Sequence, residues 1–224
     1  MVGVCRIVLC LTLTLFAGPC SAVTIWNEYD HVDAGNNPVG AQTIVGSGPL
    51  TRILGRLNAP GDNSNWVDLY RFLIVDPQNF SATTDGGIPD PQLFLFNADG
   101  YGVKGNDDHD TNTKESYLSG FPGAPGVYYL WISATNRDPN SAAGPIFPGP
   151  GNKGVGVMVD PVPGAGILTG PNGGSISFPI SQCASCAYTI DLEGAEPIPE
   201  PSTVAQALIG LALLSASRFR RRRG

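Results

Sequence analysis

The sequence predicts an all-β protein whose body is an antiparallel two-sheet sandwich. Short stretches alternate between apolar and polar residues at period two and are bounded by Gly, Pro, Asn or Asp, a pattern typical of strands. The chain of 224 residues also contains 29 Gly and 20 Pro, which is a turn-rich composition. Helical apolar periodicity is absent outside the two ends. This length is sufficient for one domain with a full core.

Eight stretches carry the strand pattern. In chain order they are Ala41–Val45, Thr51–Leu57, Leu69–Val75, Gln92–Phe96, Gly126–Thr135, Val155–Asp160, Ser175–Ile180 and Ala187–Gly194. The third stretch places Tyr70, Phe72 and Ile74 on one face. The fifth is apolar on both faces, so we expect both faces to be covered. Asn97 and Gly100, the first and last residues of "NADG", predict a type I turn after the fourth stretch.

The N-terminus has the features of a secretory signal peptide over residues 1–22. Arg6 supplies a positive charge, Ile7–Phe16 forms an apolar run, and the small residues ending at Ala22 suit signal peptidase. The run is shorter than the ~20 apolar residues that a spanning helix needs, which disfavours an uncleaved membrane anchor. We therefore expect signal peptidase to cleave after Ala22, and a sandwich domain to follow over residues 23–196.

The C-terminal segment, residues 197–224, ends in an apolar stretch and a block of arginines. Val204–Ser217 is rich in Ala, Leu and Gly and predicts a short transmembrane helix. The residues expected to stop transfer through the membrane are Arg218, Arg220, Arg221, Arg222 and Arg223. Positive charge at one end of such a helix holds that end in the cytoplasm. Together with the signal peptide, this predicts export across the inner membrane with a transient C-terminal anchor.

A Pro199-Glu200-Pro201 motif precedes this helix. A PEP motif, an apolar helix and an arginine block, in this order at the extreme C-terminus, resemble the PEP-CTERM sorting signal of Gram-negative bacteria. The resemblance implies recognition by an exosortase, which is a membrane cysteine transpeptidase. It also implies delivery of the body to the cell surface or extracellular matrix. The alternative is an ordinary tail anchor in which the PEP sequence is accidental.

The body carries a second set of motifs within residues 50–135. Asp68–Phe72 reads D-x-Y-x-F, Leu93–Asp108 reads L-x-L-x-x-x-x-G…N-D-D, and Tyr128–Ser133 reads Y-x-L-x-I-S. This order resembles the bacterial pre-peptidase C-terminal domain, and the resemblance implies a jelly-roll-like sandwich of the kind found on secreted proteins. The Pro/Gly-rich segment 136–154 departs from the pattern because compact sandwiches connect strands by about 2–6 residues. We expect it to be a mobile surface loop.

The segment Asn97–Asn112 is dense in oxygen ligands, with four Asp and three Asn. Calcium takes about six to eight oxygen ligands from carboxylates, amides and carbonyls. The candidate ligands are Asp99, Asn106, Asp107 and Asp108. The segment lacks the register of an EF-hand loop. The alternative is that Asp and Asn serve here only as turn formers.

Two cysteines remain after the signal peptide, Cys183 and Cys186, in a C-x-x-C spacing. A zinc site would need a second pair of ligands, and a thioredoxin-like motif would need a βαβ setting. The flanking residues are strand-like instead. In an oxidising compartment this spacing predicts a local disulfide.

Charge and motif content narrow the function. Residues 23–198 contain 18 acidic and 7 basic residues, a net charge of −11, which argues against nucleic acid as a partner. The histidines are His31 and His109, and the chain has no nucleophile elbow or phosphate-binding loop, so we expect no enzyme. We expect a structural, adhesive or polysaccharide-binding protein. The alternative is a secreted hydrolase accessory domain, or a weak hydrolase that uses the Asp-rich loop.

Overall fold

The computed structural model describes residues 22–57, 66–110, 112–149, 156–172, 183 and 186–200. Within these ranges the regular secondary structure consists of β-strands and one short 3-10 helix, η1 (Glu28–Asp30). The strands are β1 (Thr24–Asn27), β2 (Gln42–Thr43), β3 (Leu50–Arg56), β4 (Val67–Ile74), β5 (Ser81–Asp85), β6 (Pro91–Asn97), β7 (Gly102–Asn106), β8 (Tyr117–Leu118), β9 (Gly126–Ala134), β10 (Pro139–Ser141), β11 (Gly144–Pro145), β12 (Leu168–Pro171), β13 (Ala187–Glu193) and β14 (Ala195–Glu196). The prediction of an all-β body is confirmed.

Several predicted elements fall outside these ranges. They are the signal peptide up to residue 21, the strand Ser175–Ile180, and the transmembrane helix Val204–Ser217 with its arginines. In the part of the chain that is described, no helix has the length and apolar character needed to cross a membrane.

The strands form three sheets. Sheet A has the order β1-β3-β13-β5-β8, and sheet B has the order β14-β4-β9-β6-β7 with β2 beside β4. A small sheet C has the order β11-β10-β12. The pairs β1–β3 and β2–β4 are parallel, so the expectation of purely antiparallel pairing was wrong at these two places. Each parallel pair joins strands separated by more than twenty residues, and such a connection is long enough for a crossover.

The main core lies between sheets A and B. It includes Ile53 and Ile190 from sheet A and Phe72 and Leu130 from sheet B, all completely buried. The predicted face of Tyr70, Phe72 and Ile74 points into this core. The alternation of apolar residues along β4 therefore sets which of its side chains point inward.

A second cluster covers the outer face of sheet B. Phe147 from the segment after β11 contacts the Phe94 ring at a centroid distance of 4.9 Å and the Phe96 ring at 5.8 Å. Ile146 is fully buried in the same cluster. The expectation of a mobile loop at 136–154 was wrong for its described part, because this apolar pair fastens the segment to the sheet. The fifth predicted strand, now β9, is buried on both faces as expected.

Candidate metal centre

Three carboxylates from distant parts of the chain meet at one end of the sandwich. Glu28 comes from η1, Asp33 from the loop that follows, and Asp68 from β4. Their ligand oxygens all lie within 4.8 Å of one another. Asp68 is 0% exposed and Glu28 is 5% exposed, whereas Asp33 is at the surface. Three like charges this close require a compensating proton or cation.

Local backbone structure brings Glu28 and Asp68 together. Asp68 lies two residues before Tyr70 on β4 and therefore shares its inward face. Glu28 is held in η1, whose N-terminus is capped by the side chain of Asn27. Gly55 on β3 leaves the room for this arrangement. A Cβ at that position would lie 2.7 Å from Glu28 Oε2 and 2.4 Å from the Tyr188 hydroxyl oxygen.

Glu28 is anchored by two backbone amides. The N–H of Ala34 donates to Oε1 at 3.0 Å, and the N–H of Arg56 donates to Oε2 at 2.8 Å. Burial raises the pKa of Glu28, while these two hydrogen bonds act in the opposite direction. Because each carboxylate oxygen has a further lone pair, the anchored Glu28 can still coordinate a cation.

The negative charge of Asp68 is offset by fewer hydrogen bonds than that of Glu28. The Tyr188 hydroxyl donates to its Oδ2 at 2.5 Å, and Tyr70 lies 2.6 Å from the Tyr188 oxygen. Its Oδ1 is buried and has no hydrogen-bond partner among the described residues. None of the ion pairs found in those residues includes Asp68. Burial, and then the nearby charge of Glu28, raise its pKa well above the ordinary range.

This donor set fits a hard divalent cation. A buried polar atom without a partner calls for a bound ion, a water or a proton. Here the atom is a carboxylate oxygen beside two more carboxylates, and oxygen ligands of this kind suit calcium. An open pocket of about 160 Å³, lined by Glu28, Tyr29, His31, Asp33 and Arg56, leads from solvent to the site.

The raised pKa of Asp68 predicts a pH effect on stability in the calcium-free chain. In the unfolded chain Asp titrates near pH 3.9, whereas folded Asp68 keeps its proton to a higher pH. Its stabilising contribution is therefore complete below about pH 3.9 and is lost as the pH rises through the folded pKa. Glu28, Asp33, Tyr188 and Arg56 face the same group and contribute to its titration.

Urea unfolding of the calcium-free chain between about pH 4 and 7, compared with Asp68→Asn, isolates this contribution. We expect the unmutated chain to lose stability relative to the variant as the pH rises. Parallel stability curves for the two proteins would show that Asp68 does not titrate in this range.

The Asp-rich loop forms a different acidic cluster. Asp107 and Asp108 lie together, as predicted, and the structure adds Asp90, with ligand oxygens within 4.8 Å of one another. Lys114 reaches into this cluster, with its Nζ 3.1 Å from Asp108 Oδ2 and 4.0 Å from Asp90 Oδ2. The hydrogen bond to Asp108 and the charge of Asp90 raise the pKa of Lys114. This cluster therefore contains its own cationic side chain.

The other two predicted loop ligands are Asp99 and Asn106. Asp99 lies at the tip of the β6–β7 hairpin, where the Asn97 carbonyl accepts from Gly100 N at 2.9 Å, as the predicted turn requires. Asp107 follows the opposite end of β7, roughly 13 Å away at the usual rise per residue, so the structure does not bring Asp99 into the cluster. The side-chain amide of Asn106 forms hydrogen bonds with backbone groups. It donates to the carbonyl of Val157 and accepts from Tyr117 N.

The structure joins Cys183 and Cys186 as a disulfide beside the start of β13. Both residues are buried, and the Cys183 sulfur lies 3.5 Å from the carbonyl of Gly87. We expect both cysteines of the unreduced, exported protein to resist a thiol-reactive label until a reductant is added. Full labelling of denatured but unreduced protein would show free thiols instead.

The sorting motif begins at the edge of the described residues. Pro199 and Glu200 are exposed, while Pro201 and the arginines Arg218, Arg220, Arg221, Arg222 and Arg223 lie outside the described ranges. Just before the motif, Ile198 N donates to the Ile44 carbonyl at 2.8 Å. The body is thus fastened up to the residue that precedes Pro199.

Comparison with known proteins adds no identification. The chain matches no family model, no curated protein and no solved structure. The resemblances to PEP-CTERM proteins and to the pre-peptidase C-terminal domain stay predictions that rest on the motifs described above.

Proposed function

We propose that this chain is a non-enzymatic protein exported across the inner membrane of a Gram-negative bacterium and sorted to the cell surface or extracellular matrix. Signal peptidase removes residues 1–22, and an exosortase recognises the motif at Pro199. The jelly-roll-like body then serves structure, adhesion or polysaccharide association. The observation that carries the proposal is the three-part C-terminal signal, paired with a signal peptide.

The geometry around the motif supports this proposal. An enzyme that cuts or transfers a chain at its C-terminal motif needs that motif to be accessible. Ile198 is tied to the sandwich, while Pro199 and Glu200 are exposed. Processing here would leave the body intact, because the last described strand, β14, ends at Glu196.

Within the body we assign Glu28, Asp33 and Asp68 to a structural calcium ion. Both this site and the Asp-rich loop contain a buried carboxylate oxygen without a hydrogen-bond partner among the described residues, Oδ1 of Asp68 and Oδ1 of Asp108. The difference is charge, because Lys114 pairs with Asp108 at 3.1 Å, whereas none of the ion pairs among the described residues includes Asp68. The ion would compensate the three carboxylates and tie η1 to sheet B. It would take no part in chemistry.

The weak-hydrolase alternative would use Asp107 or Asp108 as acid or base. The structure brings these residues together with Asp90, which such a role would need, but Lys114 is paired with two of the three carboxylates. We therefore favour a structural role for this loop.

Mass spectrometry of the native surface protein tests the sorting proposal. We expect a mature N-terminus at Val23 and no peptide from Val204 onward. A variant with alanine at Pro199, Glu200 and Pro201 should keep the C-terminal peptides and remain in the membrane fraction. Recovery of intact Arg220–Gly224 on most surface copies of the unmutated protein would contradict sorting.

A further inference from the structure

The pocket that leads to the carboxylate cluster also presents an arginine, whose charge acts on Asp68 without forming an ion pair among the described residues. Arg56 lies at the end of β3 and lines this pocket. Its guanidinium carbon is 5.2 Å from the centroid of the Tyr29 ring. In the ranges that the structure describes, every ion pair uses Arg52, Lys104 or Lys114, and none uses Arg56.

The surroundings keep this arginine in place. The Tyr29 hydroxyl donates to the Gly55 carbonyl at 3.4 Å, and about half of the Tyr29 surface remains exposed. His31, which also lines the pocket, stacks on Trp26 with ring centroids 3.9 Å apart and planes nearly parallel. A guanidinium supported by an aromatic ring offers paired donors to a carboxylate.

A shallow groove of about 440 Å³ also borders Tyr29 and runs across sheet A. Its lining includes Gly55, Gly86 and Gly87, together with the polar side chains of Asp85 and Thr189. This volume is within the usual range for a small ligand. An exposed tyrosine ring beside such polar groups suits the apolar face and the hydroxyls of a sugar.

We propose that the Arg56 pocket and this groove bind a carboxylate-bearing polysaccharide. Arg56 receives the carboxylate of a uronic acid unit, and Tyr29 and the groove contact the sugar ring and its neighbour. Glu28 and Asp33 line the same pocket, so bound calcium would offset their repulsion of the incoming anion. The inference thus rests on the proposed calcium site and names the class of ligand for the proposed matrix role.

The test measures binding of the full-length chain in mild detergent to immobilised polygalacturonate, with neutral dextran and polyglutamate as comparisons. In millimolar calcium we expect binding to polygalacturonate and at least tenfold weaker binding to the other two. Arg56→Gln should weaken binding about ten- to hundredfold, as expected for the loss of a charge-assisted pair. Arg52→Gln is the matched control on the same strand. Arg52 is already paired with Asp191 at 2.6 Å, so we expect a change below about twofold.

The outcomes separate this inference from the calcium proposal. If calcium raises the unfolding temperature but polygalacturonate does not bind, the ligand inference is wrong and the calcium site stands. Equal binding of polyglutamate would indicate an acidic protein partner and overturn the inference. Unchanged binding by Arg56→Gln would also overturn it. If calcium has no effect on unfolding, the proposed calcium site is wrong. If polygalacturonate nevertheless binds in the presence of chelator, Arg56 binds its carboxylate without the help of calcium.

Discussion

Replacing Asp68 by Asn is expected to abolish the rise in unfolding temperature that calcium produces in the full-length chain. Extracellular calcium sites bind at about 0.1–1 mM, and an ion at a hundredfold excess stabilises the fold by about 2.7 kcal/mol. For a chain of this size that corresponds to about 5–10 °C. The variant loses the charged ligand whose Oδ1 has no partner among the described residues.

The same substitution should have the opposite effect in chelator. Ionised Asp68 is buried beside Glu28, so its neutral isostere removes a repulsion that calcium no longer offsets. We therefore expect Asp68→Asn to be at least as stable as the unmutated chain without calcium and less stable with it. Differential scanning calorimetry in both conditions checks this. A variant that keeps the full calcium shift would exclude Asp68 as a ligand.

Phe147→Ala is expected to lower the free energy of unfolding by about 3–5 kcal/mol. Phe147 is 2% exposed and packs against Phe94 and Phe96 on the outer face of sheet B. The truncation removes the aromatic contact that holds the segment after β11 on the sheet. Urea unfolding followed by fluorescence measures the loss.

Ile167→Ala, at the residue before β12, is the control for this prediction. Ile167 is 50% exposed, and substitutions at such positions change stability far less than substitutions in a core. A loss below about 1 kcal/mol for Phe147→Ala would mean that the segment is not a packed part of the domain.

Strand periodicity predicted the central part of the fold well. β4, β6, β9 and β13 match their predicted stretches to within two residues at each end. These strands carry dense apolar alternation, which local sequence expresses directly. β5 and β7 were missed because "SATTD" and "GVKGN" contain few large apolar residues. Their pairing with β13 and β6 determines their structure.

The segment 136–154 shows where composition misled. Its many Pro and Gly residues predict a mobile loop, but it also contains the adjacent pair Ile146 and Phe147. That pair was the signal that the segment is anchored. The sequence did not indicate what it would pack against, since the outer face of sheet B is assembled from β4, β6 and β9.

Sequence reasoning could have predicted that Asp68 is buried, but not that Glu28 lies beside it. Alternation along β4 places Asp68 on the inward face of Tyr70, and a buried Asp is a functional signal. Glu28 lies forty residues earlier, in a short turn with no periodicity, so only the fold could bring it to Asp68. The predicted ligand set of the Asp-rich loop was wrong at Asp99, which is near Asp107 and Asp108 in sequence but not in space. A hairpin separates residues that are close in sequence, and Asp90 takes the third position.

Equilibrium dialysis with calcium tests the central claim most directly, because it counts bound ions and assigns them to a cluster. We predict a single ion per full-length chain, lost in Asp68→Asn and retained in the double variant Asp107→Asn/Asp108→Asn. Retention of the ion in Asp68→Asn together with its loss in the double variant would place calcium in the Asp-rich loop. That result, or the absence of bound calcium in the unmutated chain, would contradict a metal centre at Glu28, Asp33 and Asp68.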